Sequence, residues 1–243
     1  NKLLPNLNES SNNPPAMKLK SITSLSIVAL ATATLPLTSP AQLIISEVSP
    51  TSSANSTYRA DCFDLRNDGA SILDITGWKM DDNSASFASA VALRGVTSID
   101  PGQVVVFVEG DATGTGDAAL AVSYENAWFG SSVPSGFTLG FYGGSGVGLG
   151  NGGDAVNIYD ASGTLQAGIS FGSATAGLSF DNSSGLSGPI SQLSAAGVNG
   201  AFTSVTGAEV GSPGIAPVPE PSTLALAGLG LAAIGMVRRN RKA

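Results

Sequence analysis

Few residue types in this chain can carry out chemistry, and most of those present are carboxylates. The 243 residues include no histidine and a single cysteine, Cys62. Without histidine, the chain cannot form a Ser-His-Asp or Cys-His catalytic arrangement or a histidine-bearing zinc site. A single cysteine forms neither an internal disulfide nor a multi-cysteine metal site. Cys62 stands in the alternating run RADCFDLRN, which favours a small buried apolar residue over a reactive thiol.

Paired carboxylates are the catalytic arrangement that this composition leaves open. Glycoside cleavage needs two carboxyl groups about 5 to 10 Å apart across the scissile bond. The candidate pairs are Asp61 with Asp64 and Asp81 with Asp82. Adjacent side chains on a strand point to opposite faces, so Asp81 and Asp82 are better explained as polar loop residues. A carboxylate-based, glycan-active enzyme is therefore the unfavoured alternative, and we predict no enzymatic activity and no cofactor.

Calcium binding is a further alternative for the aspartates. Asp81 and Asp82 are followed by Asn83, and Asp111 and Asp117 bound the segment DATGTGD. Both stretches offer the oxygen ligands that calcium takes, but neither has the spacing of an EF-hand loop. Asp and Asn are also ordinary turn residues. We therefore predict no metal site and keep these four aspartates as weak calcium candidates.

The central part of the chain is strongly acidic. Residues 42–218 contain 16 acidic and 4 basic residues, a net charge of −12. A surface with this charge repels nucleic acid and anionic lipid. We therefore expect no nucleic-acid partner.

The elements that would position these residues are predicted to be strands. Short apolar or alternating runs are separated by Gly, Asn and Asp turns, which indicates an all-β chain with an antiparallel sandwich. The predicted strands are 43–49, 62–67, 71–80, 86–93, 103–110, 136–143, 155–161 and 165–172.

The order of these motifs resembles a lamin-tail domain, an immunoglobulin-like sandwich. The matching stretches are LIISEV, DCFDLRNDGASILDITGWKMDD, VTSIDPGQVVVFVEGD and GNGGDAVNIYDASGTLQAGISFG, followed by AGLSFD. The resemblance covers residues 42–185 and implies a domain for attachment or for binding proteins and other ligands. The Gly-rich loop LGFYGGSGVGLGNGGD departs from the family pattern. Trp78, in the Gly-Trp step, has two interpretations: a core residue, or an exposed platform that stacks on polysaccharide.

The amino-terminal stretch is typical of an export signal. Met17 is followed by Lys18 and Lys20, then by an apolar segment and small residues up to Ala41. This pattern predicts a signal peptide over 17–41, cleaved by signal peptidase after Ala41. Residues 1–16 are interpreted as an upstream, non-native extension.

The carboxyl-terminal stretch is typical of a membrane-anchored sorting signal. Residues 223–237 are uncharged and would form a transmembrane helix about 22 Å long. The basic residues Arg238, Arg239, Arg241 and Lys242 follow at once, which places the preceding chain outside the cytoplasm. Pro219-Glu220-Pro221 stands before the helix. This three-part pattern over 219–243 resembles a PEP-CTERM sorting signal.

The two resemblances together predict an exported, non-enzymatic protein of the cell envelope or extracellular matrix. The PEP-CTERM resemblance implies a Gram-negative bacterium and recognition by an exosortase. It also implies an inner-membrane precursor whose product reaches the cell surface or the matrix of a biofilm. Residues 186–218, rich in Gly, Ser and Pro, are interpreted as a linker, whose earlier part either adds a strand or is disordered. The alternative is a polysaccharide- or calcium-binding adhesion module, with extracellular polysaccharide or other surface proteins as partners.

Overall fold

The structure, a computed structural model, describes residues 43–50 and 57–216. These ranges do not include the predicted extension 1–16, the predicted signal peptide 17–41 with Ala41, the predicted helix 223–237, Pro219-Glu220-Pro221 or the basic residues of 238–242. Within the two described ranges, no helix is long and apolar enough to cross a bilayer.

The described residues are mostly β-structure with one α-helix. In chain order the elements are β1 (Leu43–Ser49), β2 (Cys62–Asn67), β3 (Leu73–Asp74), β4 (Lys79–Asp81), β5 (Val91–Ala92), β6 (Ser98–Ile99), β7 (Val104–Glu109), α1 (Asp117–Trp128), β8 (Leu139–Tyr142), β9 (Asp154–Tyr159), β10 (Leu165–Phe171), β11 (Phe180–Asp181), β12 (Gly188–Ile190), β13 (Phe202–Thr203) and β14 (Val210–Gly211). The first sheet has the order β11-β1-β2-β7-β8 and the second the order β12-β10-β9-β4-β5. Two short antiparallel pairs, β3-β6 and the hairpin β13-β14, complete the described part.

The two five-stranded sheets share one apolar core, as expected for an immunoglobulin-like sandwich. Alternate residues of each strand point inward, such as Phe63 and Phe107 from the first sheet and Val156 and Ile169 from the second. Cys62 lies on the opposite face of β2 and is buried, which confirms its interpretation as a small buried residue.

Two edge strands of the sandwich run parallel to their neighbours, whereas the sequence predicted an antiparallel fold. The edge pair β7-β8 is parallel, and so is the edge pair β10-β12. A tight hairpin cannot connect two parallel neighbouring strands, so the chain between them must form a longer crossover connection. Helix α1 lies in the connection from β7 to β8, and the strand-only prediction missed it.

Two predicted strands are shorter than expected because turns interrupt them. The predicted strand 71–80 divides into β3 and β4 at a turn where Gly77 has a φ of 77°. That backbone conformation favours glycine. The predicted strand 86–93 is reduced to β5, because the Ala90 N–H donates to the Ser86 carbonyl in a helical turn.

A second apolar cluster lies on the outer face of the first sheet. It joins outward residues of β7, such as Val106 and Val108, to Tyr124 and Trp128 of α1. Tyr124 and Trp128 are almost completely buried. The first sheet is therefore covered on both faces.

Residues 186–216 pack on the sandwich, so the earlier part of the segment 186–218, interpreted as a linker, adds strands. β12 adds an edge strand to the second sheet, and β13 and β14 form a hairpin. Ile190 joins the main core. Hydrogen bonds to distant side chains, described below, hold the last residues of this segment.

Candidate functional site

An open groove of about 560 Å³ crosses the outer face of the second sheet. Its floor consists of outward positions of β9 and β10, where Asn157 is paired with Gly168 and Ala155 with Ser170. Their chain neighbours point into the core, so strand alternation places these four residues at the surface. All four are small or of moderate size, which leaves a depression where larger side chains would fill the face.

The walls of the groove come from two turns and a hairpin end. Asn83 and Ala85 lie in the turn after β4, and Leu165 begins β10 with 53% of its surface exposed. Asp154 fastens the turn: its Oδ1 accepts from the Asn83 N–H at 3.1 Å and its Oδ2 from the Gly150 N–H at 2.6 Å. The groove edge is therefore fixed by hydrogen bonds.

The polar groups of the groove are amide, hydroxyl and backbone groups and the Asp154 carboxylate, whose two oxygens accept the hydrogen bonds given above. The Asn157 Nδ2 donates to the Asp82 carbonyl at 2.7 Å, which orients this amide in the floor. None of the eleven residues that line the groove is basic or aromatic. The groove therefore suits an uncharged ligand with hydroxyl or amide groups better than an anionic one.

Asp81 and Asp82, proposed as calcium or catalytic candidates, shape the groove wall. Asp81 is fully buried, and its Oδ2 accepts from the Ser84 hydroxyl at 2.5 Å and the Ser86 N–H at 2.8 Å. The Asp82 Oδ1 accepts from the Ser84 N–H at 2.9 Å. Both carboxylates thus bind the turn that carries Asn83 and Ala85.

Asp111 and Asp117 are brought together, but around a guanidinium group. Arg94 donates through Nε and Nη2 to the two carboxylate oxygens of Asp117, at 3.2 and 3.1 Å, and through Nη2 to the Asp111 carbonyl at 2.9 Å. The Asp111 carboxylate accepts from Thr113 and from the Gly116 N–H. The Thr113 hydroxyl and these N–H groups hold the pKa of Asp111 well below its ordinary value. The positive charge that this loop attracts is already supplied by Arg94.

In the described part of the chain, no group of three or more His, Cys, Asp or Glu residues is arranged to hold a metal ion. The four candidate aspartates therefore lie in two separate places, each with hydrogen-bond donors of its own.

Asp61 and Asp64 do not face each other across a cleft. The Asp61 Oδ2 accepts from the Leu149 N–H at 3.1 Å, and the Asp64 Oδ2 accepts from the Gly214 N–H at 2.8 Å. Each residue is only 2% exposed. The two carboxylates serve different loops and are closed to a polymer substrate.

Trp78 is a core residue, because it is 8% exposed and belongs to the cluster between the sheets. This confirms the core interpretation, and the interpretation as an exposed stacking platform is wrong.

Sequence reasoning missed two features of the molecule. The groove floor carries a weak signal, since Asn157 and Ser170 are small polar residues at outward positions of two predicted strands. The second feature is that six acidic side chains are buried, namely those of Glu47, Asp61, Asp64, Asp81, Asp181 and Glu209. The net charge counted from the sequence therefore overstates the negative charge at the surface.

Two family models match the chain. The model of the lamin tail domain matches residues 36–173, more than half of the sequence. The model described as the PEP-CTERM protein-sorting motif matches residues 217–242. No curated protein matches the chain. The two matched ranges contain most of the residues on which the two resemblances were based.

Proposed function

The chain belongs to the lamin tail domain family, and from this premise we propose that it is an exported, non-enzymatic attachment protein of the cell envelope or extracellular matrix. The observation that carries this proposal is the sorting motif over 217–242, which directs the protein to the exosortase system. The lamin tail domain would be the part that acts after sorting.

The processing steps follow from the segments on either side of the domain. Signal peptidase would remove residues 17–41 after Ala41, and residues 1–16 would have no part in the product. The helix 223–237 would hold the precursor in the inner membrane, with the basic residues 238–242 on the cytoplasmic side. An exosortase would then act near Pro219-Glu220-Pro221, and the product would be released or attached to extracellular material.

Cell fractionation with mass spectrometry of the protein's ends tests the sorting part of the proposal. We expect an extracellular protein that begins near Gln42 and ends between Pro219 and Ser222. A Glu220→Ala variant is the matched comparison, since it changes one residue of the motif and leaves the helix and basic cluster intact. A wild-type protein that stays in the inner membrane with Arg238–Lys242 still attached would contradict the proposal.

The groove on the second sheet is the surface that we assign to binding. It is an open concave surface of about 560 Å³, and amide and hydroxyl groups lie on its floor. Hydrogen-bonding groups without basic charge suit a neutral polysaccharide, which presents many hydroxyl groups and no anionic group. This favours the polysaccharide-binding alternative over calcium binding, because Arg94 already occupies the Asp111–Asp117 loop.

Affinity electrophoresis in gels that contain a neutral glucan or, in parallel, alginate tests this assignment. We expect the glucan to retard the wild-type protein, and alginate to leave its mobility unchanged. Ser170→Tyr would fill the groove floor and remove the retardation. Ser131→Tyr is the control, since Ser131 is exposed and is not among the residues that line the groove. Equal retardation of both variants, or retardation by alginate alone, would contradict the assignment.

A further inference from the structure

Residues 202–215, called here the C-terminal strap, close the outer cluster of the first sheet. Phe202 packs edge-on against Trp128, with ring centroids 5.5 Å apart. The Val205 N–H donates to the Trp128 carbonyl at 3.2 Å. The Tyr58 hydroxyl donates to Glu209 at 2.8 Å. The strap is therefore bound along its length to α1 and to the segment before β2.

Two buried carboxyl groups hold the end of the strap. The Ser212 N–H donates to the Glu47 Oε2 at 2.7 Å, and the Ser212 hydroxyl contacts the same oxygen. The Gly214 N–H donates to the Asp64 Oδ2 at 2.8 Å. Gly214 has a φ of 70°, and a Cβ at this position would lie 2.7 Å from the Phe137 ring. The strap thus fits the sheet closely at these residues.

Glu47 and Asp64 face each other on neighbouring strands. They are directly paired in the register of β1 and β2 and are 4% and 2% exposed. Side chains paired in this way lie on the same face, within about 5.5 Å at their Cβ atoms. Among the described residues, neither carboxyl group takes part in a salt bridge. Two like charges at this distance in a buried position repel each other strongly.

The other titratable groups around the pair add negative charge or are already paired. Asp181 of β11 is also in register with Glu47; it accepts hydrogen bonds from Ser183, Gln192 and Asn199. Arg66, two residues from Asp64, is paired with Asp68. The remaining titratable groups are Cys62 of β2, Tyr124 of α1, Tyr58 of the segment before β2, and Glu209 of the strap.

The electrostatic surroundings favour a retained proton. Burial raises the pKa of Glu47. Hydrogen bonds from Ser212 and Ser179 lower it in part, and the Asp181 charge raises it further, so that the net shift is upward. Burial also raises the pKa of Asp64 well above its ordinary value, and the Glu47 charge adds to this effect.

We propose that the Glu47–Asp64 pair controls attachment of the strap through its protonation. While the pair keeps a proton, it carries at most one negative charge, and the strap N–H groups satisfy that charge. When both groups are ionised, their repulsion and their need for water favour an open state in which the strap leaves the sheet.

Strap release would change the chain that leads to the sorting motif. The strap ends at residue 215, and the matched sorting motif begins at residue 217. With the strap bound, a single residue, Ala216, separates it in the chain from the start of the motif. With the strap released, 15 residues separate Ala201 from the motif and span up to about 50 Å when extended. Proton binding would thus set how far the domain lies from the enzyme that processes the motif. This inference rests on the proposed sorting function.

Trp128 fluorescence reports the strap, because Trp128 contacts Phe202 and lies beside Gly211. The full-length chain in detergent carries a Trp78→Phe change, which leaves Trp128 as the single tryptophan. Hydrogen exchange of the Ser212 and Gly214 amides is measured alongside, from about pH 5 to about pH 9. Peptides from β9 and β10 show whether the sandwich itself stays folded.

The expected result is a red shift of Trp128 emission as the pH rises, while β9 and β10 stay protected. Protection of the Ser212 and Gly214 amides should fall about tenfold per pH unit above the point where the pair loses its proton. Glu47→Gln resembles the protonated acid and should keep the strap bound throughout. Asp64→Asn should act in the same way and serves if the first variant does not fold.

Asp100→Asn, at an exposed turn away from the strap, is the control and should behave as the wild type. Identical pH profiles for Glu47→Gln, Asp64→Asn and Asp100→Asn would overturn the proposal. A wild-type strap that stays protected across the whole pH range would overturn it as well. Neither outcome bears on whether the protein is exported, which the fractionation experiment decides separately.

Discussion

The outer faces of the two sheets differ in what covers them. On the first sheet, Val106 and Val108 pack under Trp128 of α1 and the C-terminal strap closes the cluster. On the second sheet, Asn157 and Ser170 lie at equivalent outward positions in an open groove. The outer face of the first sheet is therefore buried in a second apolar cluster, whereas the outer face of the second sheet is open to solvent. The difference supports the groove as the proposed binding surface, because the first face is covered.

Composition at the outward positions explains this difference. β7 reads VVVFVE and is apolar on both faces, which is typical of a strand buried on both sides. β10 reads LQAGISF, and its outward residues include Gly168 and Ser170. An apolar outer face must be covered, whereas a face of small polar residues stays soluble when it is open.

The largest effect is expected from a truncation within the covered face. Trp128 is 1% exposed, so Trp128→Ala should lower the free energy of unfolding by about 3 to 5 kcal/mol. Leu165→Ala, at the edge of the open groove, is the comparison and should cost less than about 0.5 kcal/mol. Urea denaturation monitored by circular dichroism measures both. Similar losses from the two variants would mean that the faces do not differ in burial.

A second prediction uses the pH dependence of stability. The pKa values of Glu47 and Asp64 are raised in the folded state, so over the raised range the folded chain binds more protons than the unfolded one. Their stabilising contribution is complete below about pH 4 and is lost as the pH rises through the folded pKa values, with a slope of up to about 1.4 kcal/mol per pH unit for each proton. Urea denaturation at a series of pH values should show this decline.

Glu47→Gln should flatten that decline, because glutamine cannot ionise. Asp160→Asn is the matched control on the exposed hairpin of the second sheet. Hydrogen bonds led by Ser162 lower the pKa of Asp160, so its contribution has the opposite sign and is lost toward acid pH. A wild-type stability that rises from about pH 5 to about pH 8 would contradict the assignment of raised pKa values.

The sequence predicted the strands well where alternation was strong. The stretches 43–49 and 62–67 form β1 and β2 with these bounds. In β2, Phe63 and Leu65 alternate with Asp64 and Arg66, whereas β1 opens on a short run of three apolar residues. Helix α1 was missed although Tyr124, Ala127 and Trp128 are spaced at three and four residues, which is a helical signal. The segment was interpreted only for its first aspartate.

The C-terminal strap could not be predicted by local reasoning. Its attachment depends on N–H groups of Ser212 and Gly214 that bond to carboxylates 165 and 150 residues away in the chain. Backbone donors leave no pattern in side-chain types, and Gly- and Ser-rich composition is typical of linkers as well. The open groove was hidden for a similar reason, since its depth comes from the absence of large side chains on neighbouring strands.

A third prediction concerns the loop beside the covered face. Asp117 begins α1 and pairs with Arg94, and both side chains are partly buried. Asp117→Asn removes this ion pair and a favourable charge at the helix N-terminus, and should cost about 1 kcal/mol. Thermal unfolding of the two proteins measures the difference.

The effect of calcium on thermal stability tests whether the Asp111–Asp117 loop is a metal site. Because the Arg94 guanidinium lies against Asp117, millimolar calcium should leave the Tm of the wild-type protein unchanged. A calcium-dependent rise in Tm that Asp111→Asn abolishes would contradict this interpretation and would restore the loop as a cation site.

The smallest effect is expected on the open face. Ser170 lies on the groove floor, and a tyrosine there can extend into solvent, so Ser170→Tyr should change the free energy of unfolding by less than about 0.5 kcal/mol. The same variant is expected to abolish retardation by the neutral glucan, so binding and stability should separate at this position. If Ser170→Tyr instead destabilised the protein as strongly as Trp128→Ala, the second sheet would be covered in solution. The contrast between the two faces would then fail.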